Sequence, residues 1–389
     1  MNWRRFISLL VVLMLCLGLA ACAPAEEPAG DDEEDGEDEE AAWDYTAEYP
    51  EPAPSTGVTL NVYNWGEYID DEVLDVNEAF TYITGIDINY KTFENNESMY
   101  ALLSSDAADY DVLFPSDYMV GKLIEEGMLK KLNFDNIPNY QYIGEDYKNL
   151  EYDPENAYSV PYTWGTVGSF YNTKYVDEAD LALGWDLLWC EKYKDRILMF
   201  NNPRDAFGVA LLREGYSLNT LEPAHWNAAF DALVEQKQVL YKYVNDEIYD
   251  LMIGETCWIA PYYSGDGVLM IYEEGANEDI AFFVPVSGTN FFVDAMCVRS
   301  TTKHQAEAEA YINFLCRPEV AAANAEYIGY SCPSPAAMEL MDEEITDNPY
   351  FYPDESVLKN TEVFLSLPKE TNRLEAELWL KLKQITRKK

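Results

Sequence analysis

From residue 58 onward the apolar positions follow two alternating periods. Residues 58–64 carry Leu60, Val62 and Tyr63 and read as a strand that stops at Trp65. Over 71–84, Val73, Val76, Phe80 and Ile83 recur three and four apart, a helical stripe, and Gly85 stands where such a helix ends. IDINY alternates as a second strand and NESMYALLSS is helical. YDVLFPSDY (110–118) reads as a buried strand broken at Pro115, and VGKLIEEGMLKKL as a third helix. This βαβαβα order predicts a parallel sheet covered by helices. The pattern then returns with different content. Residues 158–172 are strand-rich, WDLLW starts a short helical segment, and 196–212 read as strand, break and helix. WNAAFDALVEQKQVLY reads as one long helix, 255–267 as strand and break, and 280–300 as two strands. Residues 305–317 and 319–327 are helical, and an amphipathic helix with a basic end starts at Glu370. Two α/β halves result, without an internal sequence repeat.

The N-terminus follows neither period. FISLLVVLMLCLGLA, behind Arg4 and Arg5, is too short and too N-terminal for a spanning helix, and it ends in LAAC, Leu19–Cys22. This is the pattern of a signal peptide with a small-residue cleavage site. The four residues resemble the lipobox of bacterial lipoproteins, which implies cleavage before Cys22 and a diacylglyceryl thioether on its sulfur. An ordinary secretory signal with an incidental cysteine is the plainer alternative. Residues 23–57 combine a block of like charge with Gly and Pro and cannot build a core. A coil of that length spans roughly 30–35 Å. The expectation is a globule held off a membrane surface by an acidic leash.

The formal net charge is −45, of which residues 1–57 account for −12, leaving −33 for the rest. Such a field opposes nucleic acid and anionic lipid and favours cations. Seven cysteines show no CxxC pair; most of Cys190, Cys257, Cys297, Cys316 and Cys332 read as small buried hydrophobes, and their odd number leaves at least one thiol free or intermolecular.

In open α/β sheets, ligands bind beyond the carboxyl ends of the strands. Five breaks carry aromatics, acids or amides there: Trp65–Tyr68, Ser116–Tyr118, Asn201–Asp205, Tyr262–Asp266 and Phe291–Asp294. An aromatic near one strand end is ordinary core; five such breaks suggest a cleft lined by rings and a few carboxylates. Ring faces attract ammonium groups and pack on methylenes, and carboxylates accept ammonium hydrogens in charge-assisted bonds. The chemistry suits a slender, flexible, multiply charged cation such as a polyamine.

YNWGEY, FENNESMYALL, YDVLFPSDYMVGKLIEEGMLKKL, YSVPYTWGT, YSGD and INFLCRPEVAAANAEYIGYSCPSPAA resemble the bacterial spermidine/putrescine-binding family, from about Leu60 to about Phe364. That resemblance implies an α/β, two-lobed periplasmic-binding-protein type II fold, each lobe a sheet flanked by helices, with a polyamine in the interlobe cleft. It also implies lobe closure, about crossings expected near residues 166 and 292, and docking onto an ABC transporter permease. The expected organisation is 1–21 signal peptide, 22–57 lipidated Cys and disordered linker, 58–166 plus 293–338 lobe 1, and 167–292 plus 339–389 lobe 2. By the same resemblance Trp65 and Tyr68 form one cleft wall, with Glu67 between them. Ser116 and Tyr118 match a P-S-x-Y turn whose Tyr contacts the ligand. In NNPRDAF the family has two acids three apart; Asp205 keeps one and Asn202 replaces the other. Tyr263 and Phe292 stand where Trp is usual, Asp294 keeps an acid that holds an amine, and Tyr330 matches a further Tyr. Phe364 falls where Gln is expected.

Asp205 and Asp294 thus leave two clear carboxylates where the family has three, a count that suits putrescine with one amine at each end. Asn202 can still accept through its carbonyl, and Asp117, Asp266 or Glu67 are alternative sources of the missing charge. A monomer without cofactor or metal is expected, touching the membrane only through its lipid. The rival solutes are a quaternary amine and ferric iron. An enzyme has little support: His225 and His304, the only two histidines, sit in no nucleophile or metal motif, and no G-x-S-x-G or P-loop is present. A purely adhesive lipoprotein needs no rings and acids at strand ends in both halves.

Overall fold

The computed structural model describes residues 43–105, 109–267, 270–271 and 275–387. The signal peptide, Cys22 and the acidic block to residue 42 lie outside the described residues. Strand β1 (Thr59–Trp65) runs parallel between β2 (Asp87–Phe93) and β3 (Val112–Leu113), with helices α1 (Val76–Thr84) and α2 (Asn96–Ser104) as crossovers. Leu60 and Val62 face α1, while Tyr63 and Leu113 enter the core on the opposite face. Both faces of β1 and β3 are covered, while β2 at the edge keeps the alternation read from IDINY.

Two long strands unite the lobes. β4 (Ser159–Asn172) pairs antiparallel with β9 (Thr289–Val298) over Ser159–Thr166, and β9 pairs antiparallel with β3. Beyond Thr166, β4 pairs instead with β7 (Ile259–Tyr263) and β8 (Ile280–Phe283) of the second lobe. β7 is followed by β5 (Ile197–Phe200) and β6 (Leu240–Val244), giving the order β2-β1-β3-β9-β4-β7-β5-β6. The two halves of the sheet meet where β4 changes partners, after Thr166. Lobe 2 is built on the fully buried strand β5 and helices α4 (Pro203–Arg213), α5 (Pro223–Gln236) and α9 (Lys369–Gln384), with Trp185 and Trp226 at its centre.

Several boundaries differ from the sequence reading. α1 starts at Val76 because the Asp70 carboxylate accepts the N–H groups of Glu72, Val73 and Leu74, folding the chain into a turn that leaves Val73 exposed. The third helix, α3 (Asp117–Glu125), ends early. Met128 and Lys130 pair with Ser300 and Val298 at the end of β9, and this extended pairing replaces helix. The helix read as running to Tyr241 ends at Gln236, and β6 follows. Met341 and Ile345 pack with Ala322 and Ala337, and Tyr352, Leu358 and Val363 pack on lobe 1. The chain therefore stays largely with lobe 1 beyond residue 338, and a third crossing falls near Phe364. Tyr350 leans on Phe282 of lobe 2, and Asn360 and Val363 bond Val286 and Asn219 there.

Residues 43–57 rest on lobe 1 through a few side chains and backbone bonds, while most of them stay exposed. The Arg317 guanidinium lies 4.2 Å over the Trp43 ring and bonds Glu48 at 2.6 Å, and Tyr45 meets Tyr82 edge-on at 5.4 Å. Ala53 and Thr56 donate to the Tyr82 and Gly85 carbonyls. Gly85 sits at φ +71°, and a Cβ there would stand 2.1 Å from the Pro54 oxygen, so only glycine admits this strap. Trp43 and Tyr45 supply apolar area that the acidic block lacks.

Candidate ligand-binding site

The expected site residues come from both lobes and converge on one cleft. Trp65, Glu67, Tyr68, Ser116, Tyr118, Asn202, Asp205, Tyr263, Phe292, Asp294, Tyr330 and Phe364 all line a cavity of about 760 Å³. Trp65–Tyr68, Ser116–Tyr118, Asn202–Asp205 and Tyr263 reach it from strand ends or the first turn of the next helix, whereas Phe292 and Asp294 reach it from within β9 and Tyr330 follows the helix Pro318–Ile328.

The wall from lobe 1 is aromatic. The Trp65 indole N–H donates to the Phe114 carbonyl at 2.8 Å, and its ring packs on Phe93 at 4.6 Å. Tyr68 is buried, edge-on to Tyr330 at 4.9 Å. Tyr118 donates to Glu97 at 2.9 Å and meets Phe364 edge-on at 6.1 Å. On the crossing strand, Phe292 stands edge-on to Tyr263 at 5.4 Å and tilts toward Tyr330 at 6.2 Å.

Three of the buried cleft carboxylates are met by tyrosine hydroxyls. Tyr68 donates to Asp294 Oδ2 at 2.7 Å, Tyr263 to Asp205 Oδ2 at 2.9 Å, and Tyr330 to Asp266 Oδ2 at 2.7 Å, with Tyr249 on Asp266 Oδ1. Burial pushes Asp205 up to about 7, with Tyr263 pulling against it and Glu97 adding to the rise. Burial likewise pushes Asp294 up to about 6, the Ser116 and Tyr68 hydroxyls offsetting part of it. Asp266 also reaches about 6 through burial, against the hydrogen bonds from Tyr249 and Tyr330. These acids carry a desolvation penalty that a bound cation relieves. Asp294 Oδ1 is buried without a hydrogen-bond partner among the described residues. A buried acceptor left open is costly, and it marks a place for a donor.

The candidates for the missing charge now separate. Asp266 lies inside the cleft, so four buried acids line it, Asp117, Asp205, Asp266 and Asp294. Asp117 is buried, but its oxygens accept the N–H groups of Tyr118 and Val293 and pin the turn to β9. Glu67 is exposed at the rim, at φ +48°. Asn202 borders the cleft while its carbonyl caps α4, accepting from Arg204 N at 3.0 Å.

Asp246, Tyr249 and Tyr262 also line the cleft and were not singled out from the sequence, except that Tyr262 bounded a break. Tyr262 donates to Asp246 at 3.4 Å, and burial raises the Asp246 carboxyl, with Tyr262 opposing and the charges of Glu247 and Glu94 adding to the rise. Asn245–Asp246 is the break after β6, so recognising that strand would have found it.

A family model described as bacterial extracellular solute-binding protein matches residues 76–353. The spermidine/putrescine-binding periplasmic protein of Escherichia coli is 34% identical over 306 residues, covering 78% of this chain and 86% of its own. A putrescine-binding periplasmic protein of Pseudomonas aeruginosa is 32% identical over 346 residues, covering 83% and 91%. Among solved structures, a putative spermidine/putrescine ABC transporter protein from Listeria monocytogenes is 36% identical, with a TM-score of 0.79 over 84% of this chain and 99% of that one. These likenesses extend to the fold, and the neighbours share the type II periplasmic-binding architecture. The chain belongs to the bacterial extracellular solute-binding proteins.

Proposed function

We propose that this protein captures a polyamine, putrescine or spermidine, outside the cell membrane and hands it to an ABC importer permease. The observation that carries the reading is Asp294, whose buried Oδ1 has no hydrogen-bond partner among the described residues, beside a cleft walled by Trp65, Tyr68, Phe292 and Tyr330. An ammonium group supplies the absent hydrogens, its methylenes lie against the rings, and Asp205 or Asp266 takes a second amine. The three relatives above, each named for spermidine or putrescine, support the same ligand class. The three tyrosine-bonded acids leave room for a triamine as well as a diamine, so the carboxylate count does not favour putrescine.

In this reading the open lobes admit the cation, rotate about the crossings of β4, β9 and the segment near Phe364, and expel water. Only the closed form suits the permease. The role is binding without turnover, by a monomer held through a lipid on Cys22. Cleft phenols that donate to carboxylates keep their protons, which disfavours ferric iron as cargo. Calorimetric titration of protein stripped of ligand, with putrescine, spermidine, spermine and choline, tests the reading. Micromolar or tighter binding of a polyamine, lost in Asp294→Ala, is expected. Heat with choline alone transfers the site to quaternary amines, and no heat with any of them, in folded protein, removes the polyamine.

A further inference from the structure

A buried cation stands behind the cleft acid Asp205. Arg204, its neighbour in the first turn of α4, is 4% exposed. Its guanidinium lies 4.3 Å over the Phe364 ring and bonds Asn219 Oδ1 at 3.1 Å and the Leu365 carbonyl at 3.3 Å. Its Nε has no hydrogen-bond partner among the described residues. On the far side, α9 packs against lobe 2 through Leu378 and Leu382, and its Trp379 leans on Phe207 of α4. The same helix buries Glu375, 8% exposed, whose Oε1 also has no partner among the described residues. Glu375 is the strongest of the charges that counter the burial of Arg204.

We infer that Glu375, which touches no part of the cleft, sets the cleft's affinity for its cation by neutralising Arg204 behind Asp205. A buried guanidinium one residue from a ligand acid projects positive potential into a site that takes cations. In the low dielectric of lobe 2 that potential is weakly screened, and the charge of the buried Glu375 counters it. The groups that face Glu375 are Arg204 and Asp205 from α4, and Glu97 from lobe 1. From α5 the acids Asp231 and Glu235 are exposed, and Lys237 bonds Ile385 at the far end of α9. Burial pushes the Glu375 carboxyl up to about 7, Arg204 pulling it down and Glu97 and Asp205 pushing it up. A cation arriving at Asp205 therefore draws protons from both carboxyls. A Glu375 that only fills space in the helix packing leaves ligand affinity and proton release unchanged.

This inference rests on the polyamine reading, and its test separates the two. Putrescine and spermidine are titrated calorimetrically into the wild-type chain, Glu375→Gln and Glu377→Gln, in buffers of different ionisation enthalpy between pH 6 and 8. Glu377 is exposed on the same helix, 3.7 Å from Arg373, and its substitution removes the same charge from the molecule. Glu375→Gln is expected to weaken binding about tenfold at pH 8 and to lower the protons released near pH 7, with Glu377→Gln close to wild type. Thermal melts establish that both variants are folded. Wild-type binding with unchanged affinity and proton release in Glu375→Gln overturns the inference, as does an equal loss in both variants. No binding by the wild type overturns the polyamine reading instead. Should Glu375→Gln not fold, Glu375→Asp, which keeps the charge and shortens the reach, is expected to retain the proton release, and its loss there overturns the inference.

Discussion

The Tyr68 hydroxyl lies 2.7 Å from both Asp294 Oδ2 and Thr163 Oγ1, so the loop after β1 and the two crossing strands share one hydrogen-bonded point. Tyr68 fixes which Asp294 oxygen is occupied and leaves the other open. Asp294→Asn keeps the shape and removes the charge. A hydrogen bond to a charged group contributes roughly 1.5–3 kcal/mol, so polyamine affinity is expected to fall about 10- to 100-fold. Tyr68→Phe keeps the ring and frees both oxygens; affinity falls less, about threefold to tenfold. Calorimetry on the two variants checks the order, and a larger loss in Tyr68→Phe contradicts this assignment of roles.

Ligand binding and stability respond to pH in opposite directions. Asp205 at about 7, and Asp294 and Asp266 at about 6, hold protons in the ligand-free fold that the unfolded chain has already released. Their contribution to stability is greatest below the ordinary carboxylate range and is lost as pH rises through 6 to 7. The cation needs the ionised forms, so affinity falls as pH drops from 7.5 to 5, about tenfold per pH unit for each group below its value. Thermal melts with and without spermidine across that range are expected to show the ligand-induced rise in Tm shrinking toward pH 5. A constant rise means these acids do not receive the ammonium groups.

Asn202→Asp restores a carboxylate at the position where the resembling family carries one. The substitution keeps a side-chain oxygen for the Arg204 N–H, and a negative charge at a helix start is favourable, so α4 retains its cap. Spermidine affinity is expected to rise about threefold to tenfold, with putrescine gaining less. Equal affinity for both ligands before and after the change means that residue 202 does not face the amine.

The docked strap gives a prediction away from the cleft. Trp43→Ala removes the ring beneath Arg317 and the contact with Phe314. A desolvated cation–π pair is worth up to about 2 kcal/mol, enough to release a short segment locally. Limited proteolysis is expected to cut within residues 43–57 several times faster, with polyamine affinity unchanged. Unchanged cleavage means the hydrogen bonds at Ala53 and Thr56 hold the strap without the ring.

What the sequence made legible was whatever has a local signature. β1 and α1 show period and breaks, and most of the cleft residues follow because strand ends in an α/β sheet converge. Asp246 was lost for a local reason: nothing between Gln236 and Leu240 is Gly or Pro, so the helix and β6 ran together. Other features are long-range by nature. That Asp117 turns to Val293, that Tyr hydroxyls meet three of the cleft acids, and that Glu375 approaches Arg204 across 171 positions in the chain leave no periodicity to read. The docking of Trp43 on Arg317 is hidden for the same reason, and the acidic block before it biases the reading toward solvation.

Gly265 tests whether the acid–tyrosine pairs act as units. A Cβ at residue 265 would stand 2.4 to 2.5 Å from three atoms of the Tyr330 ring, closer than any side chain tolerates. Gly265→Ala therefore has to displace Tyr330, break its bond to Asp266, and disturb the ring's edge contact with Tyr68. Overpacking of a filled site costs about 1–3 kcal/mol, and polyamine affinity is expected to fall with it because Asp266 loses one of its two donors. Tyr330→Ala alone also weakens binding, by removing the same donor and a cleft ring. In the double variant the alanine methyl occupies space the ring has left, so the stability losses fall short of their sum by about 1 kcal/mol or more. Denaturant melts of the four proteins measure this coupling, and calorimetry gives the matching affinities. Additive losses mean that the backbone at residue 265 yields before Tyr330 does, and the acid–tyrosine pair is then independent of the glycine that lets it form.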